Sequence, residues 1–418
     1  MNAKQVFECL LWLCITQLVS IGSNRVIELN ERFLEVLNRE GEWRSFLVLF
    51  YAPWCYHCQQ LEPVWGQVAQ QIHNEDKEIY VGRVDCTKYT TLSTHFNIKG
   101  FPTILYINKD KRFEFRGERT KKEMIDFALR VNGPPVRHIT DCSHIDALRQ
   151  THDVLFVNFD STVNENYTKI ATNYQSIDWF YYSSLKCNPF SDGIYSLKAK
   201  NYYKKFDENE AQLEEWIKLQ RFAQFVRITN SNFNLLLQTR KYLVIALIEE
   251  YKSSNKVNPK HKWFYDLMES IAYSYPNIND LIIGWTPDVA TINSIAIRTI
   301  TPLPNIIVIN STTLQYYLID GQLNSQNIIS FLDNLTNDSS KINALGGDRF
   351  WHRIQRMAFD TITSFVSMYY GNPVLTILLF GVPGAFLSII IYTTCCSDIF
   401  DAKDEDNDED DDEHEKQE

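Results

Sequence analysis

"YAPWCYHCQQLEP", residues Tyr51 to Pro63, sets Cys55 and Cys58 two residues apart, directly behind an apolar run and at the head of helix-forming sequence. Three chemistries use such a pair. A zinc site needs four ligands, usually from a second CxxC or an HxxxH pair. This block offers neither, and Cys86 and His57 would complete a set only by accident, so no metal is expected. A permanent staple across two intervening residues gains little from loop closure and is strained. Thiol–disulfide exchange is the chemistry that needs this location. A helix N-terminus carries roughly half a positive charge, and its first N–H groups lack partners inside the helix. Both favour a thiolate. Cys55 is therefore expected near the first turn, exposed, as the attacking sulfur. Cys58, one turn on and less exposed, is expected to resolve the mixed disulfide. His57 between them is expected to favour the thiolate. Stabilising the reduced form makes the disulfide more oxidising, which suits oxidation or isomerisation.

Working outward, "VIEL" (26–29) reads as a strand, "NERFLEVLNRE" (30–40) as a helix and "SFLVLFYA" (45–52) as a fully buried strand. A helix follows the cysteines to about His73. Next come a strand in "EIYVGRVDC" (78–86), a short helix in "YTTLSTHF" (89–96), a hairpin of "TILYIN" and "KRFEFRG", and a helix capped by Thr120 and stopped at Gly133-Pro134. That order is the order of a thioredoxin fold, an α/β class. Pro102 in "GFPTI" stands just before the fourth strand, facing the pair, and is expected to follow a cis peptide from Phe101.

The rest of the chain repeats this grammar without a CxxC. A degenerate thioredoxin-like block is expected over 135–219, from "VLFVNF" to "EAQLEEWIKLQ", and a further non-catalytic one over 220–345. The latter holds the buried runs "YLVIALIEE", "NDLIIGWT" and "NIIVINSTT", with Leu303-Pro304 in the place of Phe101-Pro102. The first, catalytic block is expected over 23–134. Cys142 and Cys187 share the second block and can either pair or stay free; Cys86, behind a buried strand, reads as an inert core thiol.

The two ends say where the body resides. Lys4, the apolar "CLLWLCITQLV" and the small residues Ser20 and Gly22 read as a secretory signal over 1–22, which would carry Cys9 and Cys14 away. No charged residue occurs between Asp360 and Asp398, and "PVLTILLFGVPGAFLSIIIYTT" (373–394) has the length and apolarity of one membrane span, preceded by a juxtamembrane segment, 346–372. The 395–418 tail holds most of the charge: from Asp398 to Glu418 there are 13 acidic residues against Lys403 and Lys416, a net of −11, which equals the formal charge of the whole chain. The remainder balances to zero, so no basic surface points to nucleic acid. The tail is expected to be disordered, with a cytosolic partner as one use and plain solvation as the other. The sequons Asn166, Asn310, Asn334 and Asn337 all fall between signal and span, as glycosylation of a lumenal body requires. Cys395 and Cys396 at the cytosolic end of the span suit palmitoylation. Arg349, Arg353 and Arg356 then lie on the lumenal side, against the positive-inside tendency, which a cleaved signal overrides. Disulfides form in that compartment.

"FYAPWCYHCQQLEPVW", "VDCT", "GFPTI" and "RGERT" resemble the catalytic domain of the protein disulfide isomerase family; the likeness is dense over 24–133 and thin over 136–219. The resemblance implies Cys55 as attacking and Cys58 as resolving thiol, Trp54 packing the site, Pro102 cis, and Arg119 approaching Cys58 to ease its ionisation. Two positions depart from the family. Tyr56 replaces the usual glycine between the cysteines, and Leu49 stands where a buried acid often relays the resolving proton, which implies slower resolution.

The expected protein is thus a single-pass membrane thiol–disulfide oxidoreductase or isomerase of the endoplasmic reticulum, type I, catalytic domain lumenal and tail cytosolic. It would act on cysteine-containing secretory and membrane clients and exchange electrons with redox partners there, without metal or organic cofactor. The alternative is a membrane-bound chaperone or tether with little redox turnover.

Overall fold

The computed structural model describes residues 25–39, 44–109, 111–207, 212–251, 256–275, 280–319, 321–337 and 342–404. The expected signal, with Cys9 and Cys14, and the acidic tail beyond 404 lie outside them, as do the side chains of Cys395 and Cys396.

The first domain contains β1 (Ile27–Glu28), α1 (Phe33–Asn38), β2 (Ser45–Tyr51), α2 (Tyr56–Glu75), β3 (Ile79–Asp85), α3 (Thr90–His95), β4 (Thr103–Asn108), β5 (Lys111–Glu114) and α4 (Lys121–Asn132). Its sheet runs β1-β3-β2-β4-β5, with β1, β3 and β2 parallel and β4 and β5 antiparallel. β2 is apolar throughout because both of its faces are covered. Alternate residues point to opposite sides. Leu47 and Leu49 pack with Trp65, Ile72 and Phe127. Phe46, Val48 and Phe50 pack with Phe33, Leu92 and Phe96. Gly82 of β3 has no Cβ for a reason of space: one added there would come within 2.6 Å of Leu29 Cδ1. Thr120 caps α4, accepting from the Glu123 N–H at 3.4 Å, as the sequence predicts.

The second block holds β6 (Arg137–His138), α5 (Ser143–Thr151), β7 (Val154–Phe159), α6 (Glu165–Tyr174), β8 (Trp179–Ser183), β9 (Gly193–Lys198), β10 (Tyr203–Lys205) and α7 (Leu213–Gln220). Its sheet, read from the other edge, is β6-β8-β7-β9-β10, the first sheet's order and directions again. A disulfide joins Cys142 to Cys187.

The third block contains β11 (Phe225–Arg227), α8 (Phe233–Leu237), β12 (Tyr242–Leu247), the hairpin β13 (Glu250–Tyr251) and β14 (Lys256–Val257), α9 (Lys262–Ser274), β15 (Leu281–Thr286), α10 (Val289–Ala296), β16 (Asn305–Asn310), β17 (Gln315–Leu318), α11 (Ser325–Asn337) and β18 (Leu345–Gly346). β11, β15, β12 and β16 lie in that order, parallel save for β16. The same arrangement thus occurs a third time. Pro304 directly precedes β16 as Pro102 precedes β4, but the cis bond nearby is Thr301–Pro302, two residues earlier than the parallel position.

Among the described residues, 288–303, 313–317 and 343–404 form a second compact unit, and the others the first. In the second, α12 (Phe350–Gly371) leads to Asn372, whose side chain accepts from the Leu375 N–H at 3.1 Å and restarts the helix. Pro373–Thr394 is then the one helix among the described residues long and apolar enough to cross a membrane, with its Leu, Ile and Phe side chains outward.

Candidate active site

β2 ends at Tyr51 on the sheet's edge of the core, and Ala52 begins the turn that feeds α2. The Cys55 N–H donates to the Ala52 carbonyl at 3.0 Å, closing that turn. Cys55 is the N-cap of α2, in extended conformation, and its Sγ accepts from the Cys58 N–H at 3.3 Å. A helix of 20 residues therefore begins on the first sulfur, which shares the Cys58 N–H with the Cys55 carbonyl at 3.0 Å. Both cysteines are free thiols.

The pair is more covered than the sequence predicts for its leading member. Cys55 is 8% exposed rather than open, and Cys58 3%. They pack with Ala52 and against Tyr51 and Phe101. Capping turns the Cys55 side chain back over the helix end, and two rings stand at the rim. Trp54 is 73% exposed and meets Phe101 edge to face at 6.2 Å between centroids. The Phe101–Pro102 bond is cis. Arg119 Nη2 donates to the Pro102 carbonyl at 3.2 Å, bringing its charge to the site.

Cys58 feels these neighbours. Burial, the hydrogen bond with Cys55 and the Cys55 charge push its thiol up to about 11, against the Ala52 backbone and the Arg119 charge, which pull it down. Cys86, also buried, is pushed to about 11 chiefly by burial, and its thiol points at the Val84 carbonyl at 3.8 Å. It is a core thiol with little thiolate.

The structure thus gathers Trp54, Cys55, Cys58, Phe101, Pro102 and Arg119. His57 turns outward; its ring lies against Tyr56 at 5.8 Å rather than over a sulfur. Tyr56, 66% exposed, accepts from Gln60 Nε2 at 2.7 Å. This bond to the next helical turn holds the phenol along α2, away from Cys55. Leu49 is a core residue, packed in the cluster of Leu47 and Trp65. The sequence reading missed Tyr51 and Ala52 as walls of the pair. Their signal was positional, since the strand that leads into the motif must end on it. Of the sequons, Asn166, Asn334 and Asn337 are exposed and Asn310, at the end of β16, is half-buried. Among the described residues no three His, Cys, Asp or Glu side chains are grouped to hold a metal ion.

Residues 25–130 match the thioredoxin family. Over 400 residues the chain is 29% identical to protein disulfide-isomerase TMX3 of Xenopus laevis, covering 93% of this chain and 86% of that protein. The Homo sapiens TMX3 is 28% identical over 403 residues, 92% of this chain and 86% of its own. A crystal structure of human ERp44 aligns over 77% of this chain and 88% of its own, at 18% identity and a TM-score of 0.32. The likeness runs through the thiol pair and far beyond it: residues 25–130 are a thioredoxin domain, and the chain is similar over nine-tenths of its length to proteins named protein disulfide-isomerase TMX3.

Proposed function

We propose that this protein is a membrane-anchored thiol–disulfide oxidoreductase and isomerase acting on cysteines of folding secretory and membrane proteins. The observation that carries the reading is the pair of free thiols at the head of α2, with the Cys58 N–H directed at Cys55 Sγ. The thiolate of Cys55 attacks one sulfur of a client disulfide; a Cys55–client bond forms, and the client's other sulfur leaves as a thiolate. Cys58, as thiolate, then attacks Cys55 Sγ. The Cys55–client bond breaks, its electron pair leaves on the client sulfur, and the protein is oxidised to the Cys55–Cys58 disulfide as the client is reduced. The same steps reversed oxidise a client. If the freed client thiolate first attacks another client disulfide, and the thiolate so released attacks the Cys55–client bond, Cys55 leaves as thiolate and the net change is isomerisation. The two electrons pass between this thiol pair and the client sulfurs.

Arg119 assists Cys58, and Trp54, Phe101 and Pro102 form the wall a client segment meets. Residues 23–134 are the catalytic domain; 135–219 and 220–345 form a non-catalytic arm. The TMX3 likeness and the apolar Pro373–Thr394 helix support residence in the endoplasmic reticulum membrane, and the placement of the sequons before that helix favours a lumenal catalytic domain. Clients and redox partners there are cysteine-bearing proteins.

The test is turnover of a scrambled disulfide substrate by the purified full chain in detergent. Cys55→Ala is expected to abolish it and Cys58→Ala to trap client adducts on Cys55. Client binding untouched by Cys55→Ala, with no turnover by the native protein, would instead establish the chaperone or tether.

A further inference from the structure

The loop that carries Arg119 is held from outside its own domain. Glu118 and Arg119 are consecutive residues between β5 and α4. Arg119 reaches inward to the Pro102 carbonyl at 3.2 Å. Glu118 reaches the other way: its Oε2 accepts from Nη1 of Arg227, 109 residues along the chain, at 2.6 Å. Arg227 is the last residue of β11, and its Nη2 donates to Glu250 Oε2 on β13 at 2.8 Å. Its guanidinium also lies over the Trp285 ring, 5.5 Å from the centroid. The Glu118 carbonyl accepts from the Thr120 N–H at 2.7 Å, and Thr120 caps α4. The loop is therefore pinned at Glu118, Arg119 and Thr120, and the pin at Glu118 belongs to the third sheet.

Charge decides what happens when that pin is removed. With Arg227 in place, the Glu118 carboxylate is engaged, and the adjacent Arg119 is left to the Pro102 carbonyl and to Cys58. Without Arg227, the Glu118 carboxylate has Arg119 within reach as a substitute partner, and pairing the two removes the positive charge that faces the resolving sulfur. The groups acting on Cys58 are Cys55, Arg119 and the Ala52 backbone, with Cys86 also close enough to interact. Those paired with Arg227 are Glu118 and Glu250.

We infer that Arg227 is a positioning residue for the thiol pair: by holding Glu118 it keeps Arg119 on the Pro102 carbonyl and facing Cys58, so the non-catalytic third sheet sets the rate of the resolving step. This rests on the thiol-exchange reading above. A third domain that releases Glu118, on gripping a client for example, lengthens the life of the mixed disulfide and favours rearrangement over release.

The experiment is single-turnover kinetics on the full chain in detergent, with a disulfide peptide, following formation of the Cys55–peptide adduct and its resolution separately across pH. In Arg227→Met, resolution is expected to slow about fivefold, the rate equivalent of one half-exposed ion pair of about 1 kcal/mol, with its pH profile displaced upward and adduct formation unchanged. Arg227→Lys should restore most of the rate. The double variant Arg227→Met, Glu118→Gln should resolve faster than Arg227→Met alone, because the competing carboxylate is gone. An Arg227→Met protein with wild-type Tm and an unmoved profile overturns the inference, as does an equal fall in both steps. If Arg227→Met does not fold, Arg227→Gln decides on the same readouts: slower resolution with an upward-displaced profile supports the inference, and an unmoved one overturns it. Failure of the native protein to form or resolve the adduct would sink the exchange reading itself, a distinct outcome.

Discussion

Cys58 carries a thiol pushed up to about 11 in the reduced protein, and two of the three influences raising it come from Cys55. Those two, a hydrogen bond and a neighbouring charge, vanish when Cys55 is bonded to a client sulfur. Burial and Arg119 remain. In its proposed resolving role, Cys58 is thus hardest to ionise while idle and easier to ionise once there is something to resolve. Because a raised thiol value leaves the sulfur protonated at neutral pH, reduced protein treated with iodoacetamide at pH 7 should be labelled at Cys58 at least about tenfold more slowly than a free peptide thiol of about 8.5. Labelling should climb with pH up to the neighbourhood of 11, read by mass spectrometry of the Cys58 peptide. Arg119→Leu, which removes a lowering influence, should slow it further at any pH below that. A Cys58 that labels as fast as a peptide thiol would refute this account. At this scale much was legible: the spacing of the two sulfurs, the helix behind them and Pro102 are all local features. The cover over Cys55 was not, because it arises where Tyr51 and Phe101 pack on the pair, from two stretches about fifty residues apart.

Among the elements, the second sheet has the strand order of the first without its motif, and its two halves are joined by Cys142–Cys187 across 45 residues. Cys142 immediately precedes α5 and Cys187 lies in the connection after β8, so the bond fastens a helix start to a loop on one side of the sheet. Both cysteines belong to the cluster of Leu155, Trp179 and Tyr195. Closing a loop of that length restricts the unfolded chain, and replacing both cysteines by alanine should lower stability by about 2–4 kcal/mol. Urea denaturation of the two proteins, followed by tryptophan fluorescence, checks this, and a midpoint that does not move contradicts it. The buried runs "VLFVNF" and "YLVIALIEE" announced central strands, since only a strand covered on both faces is apolar throughout. Short edge strands such as β6 and β11 were illegible, being two and three residues long. Equally hidden was the tie between Glu118 and Arg227. Two charged residues 109 positions apart leave no periodicity to read.

On the scale of the whole molecule, the sequence places every sequon between an N-terminal apolar run and the Pro373–Thr394 helix, and a strongly acidic segment beyond it. The proposed orientation requires that sealed microsomes hide the sequons and show the tail. Protease added outside should remove only the last two dozen or so residues, and the protected fragment should lose mass on treatment with an N-glycosidase after detergent. Alkaline carbonate should leave that fragment in the membrane. Digestion of the thioredoxin domain in intact vesicles contradicts the topology. The depth at which Cys55 sits has a consequence at this scale. A sulfur only 8% exposed, packed against Tyr51 and Phe101, is best met by a chain able to shape itself to it. A mature client, with its disulfides buried among packed side chains, cannot offer one, whereas a loose segment can. Discrimination between finished and unfinished proteins then needs no sequence preference, only the shape of the entrance.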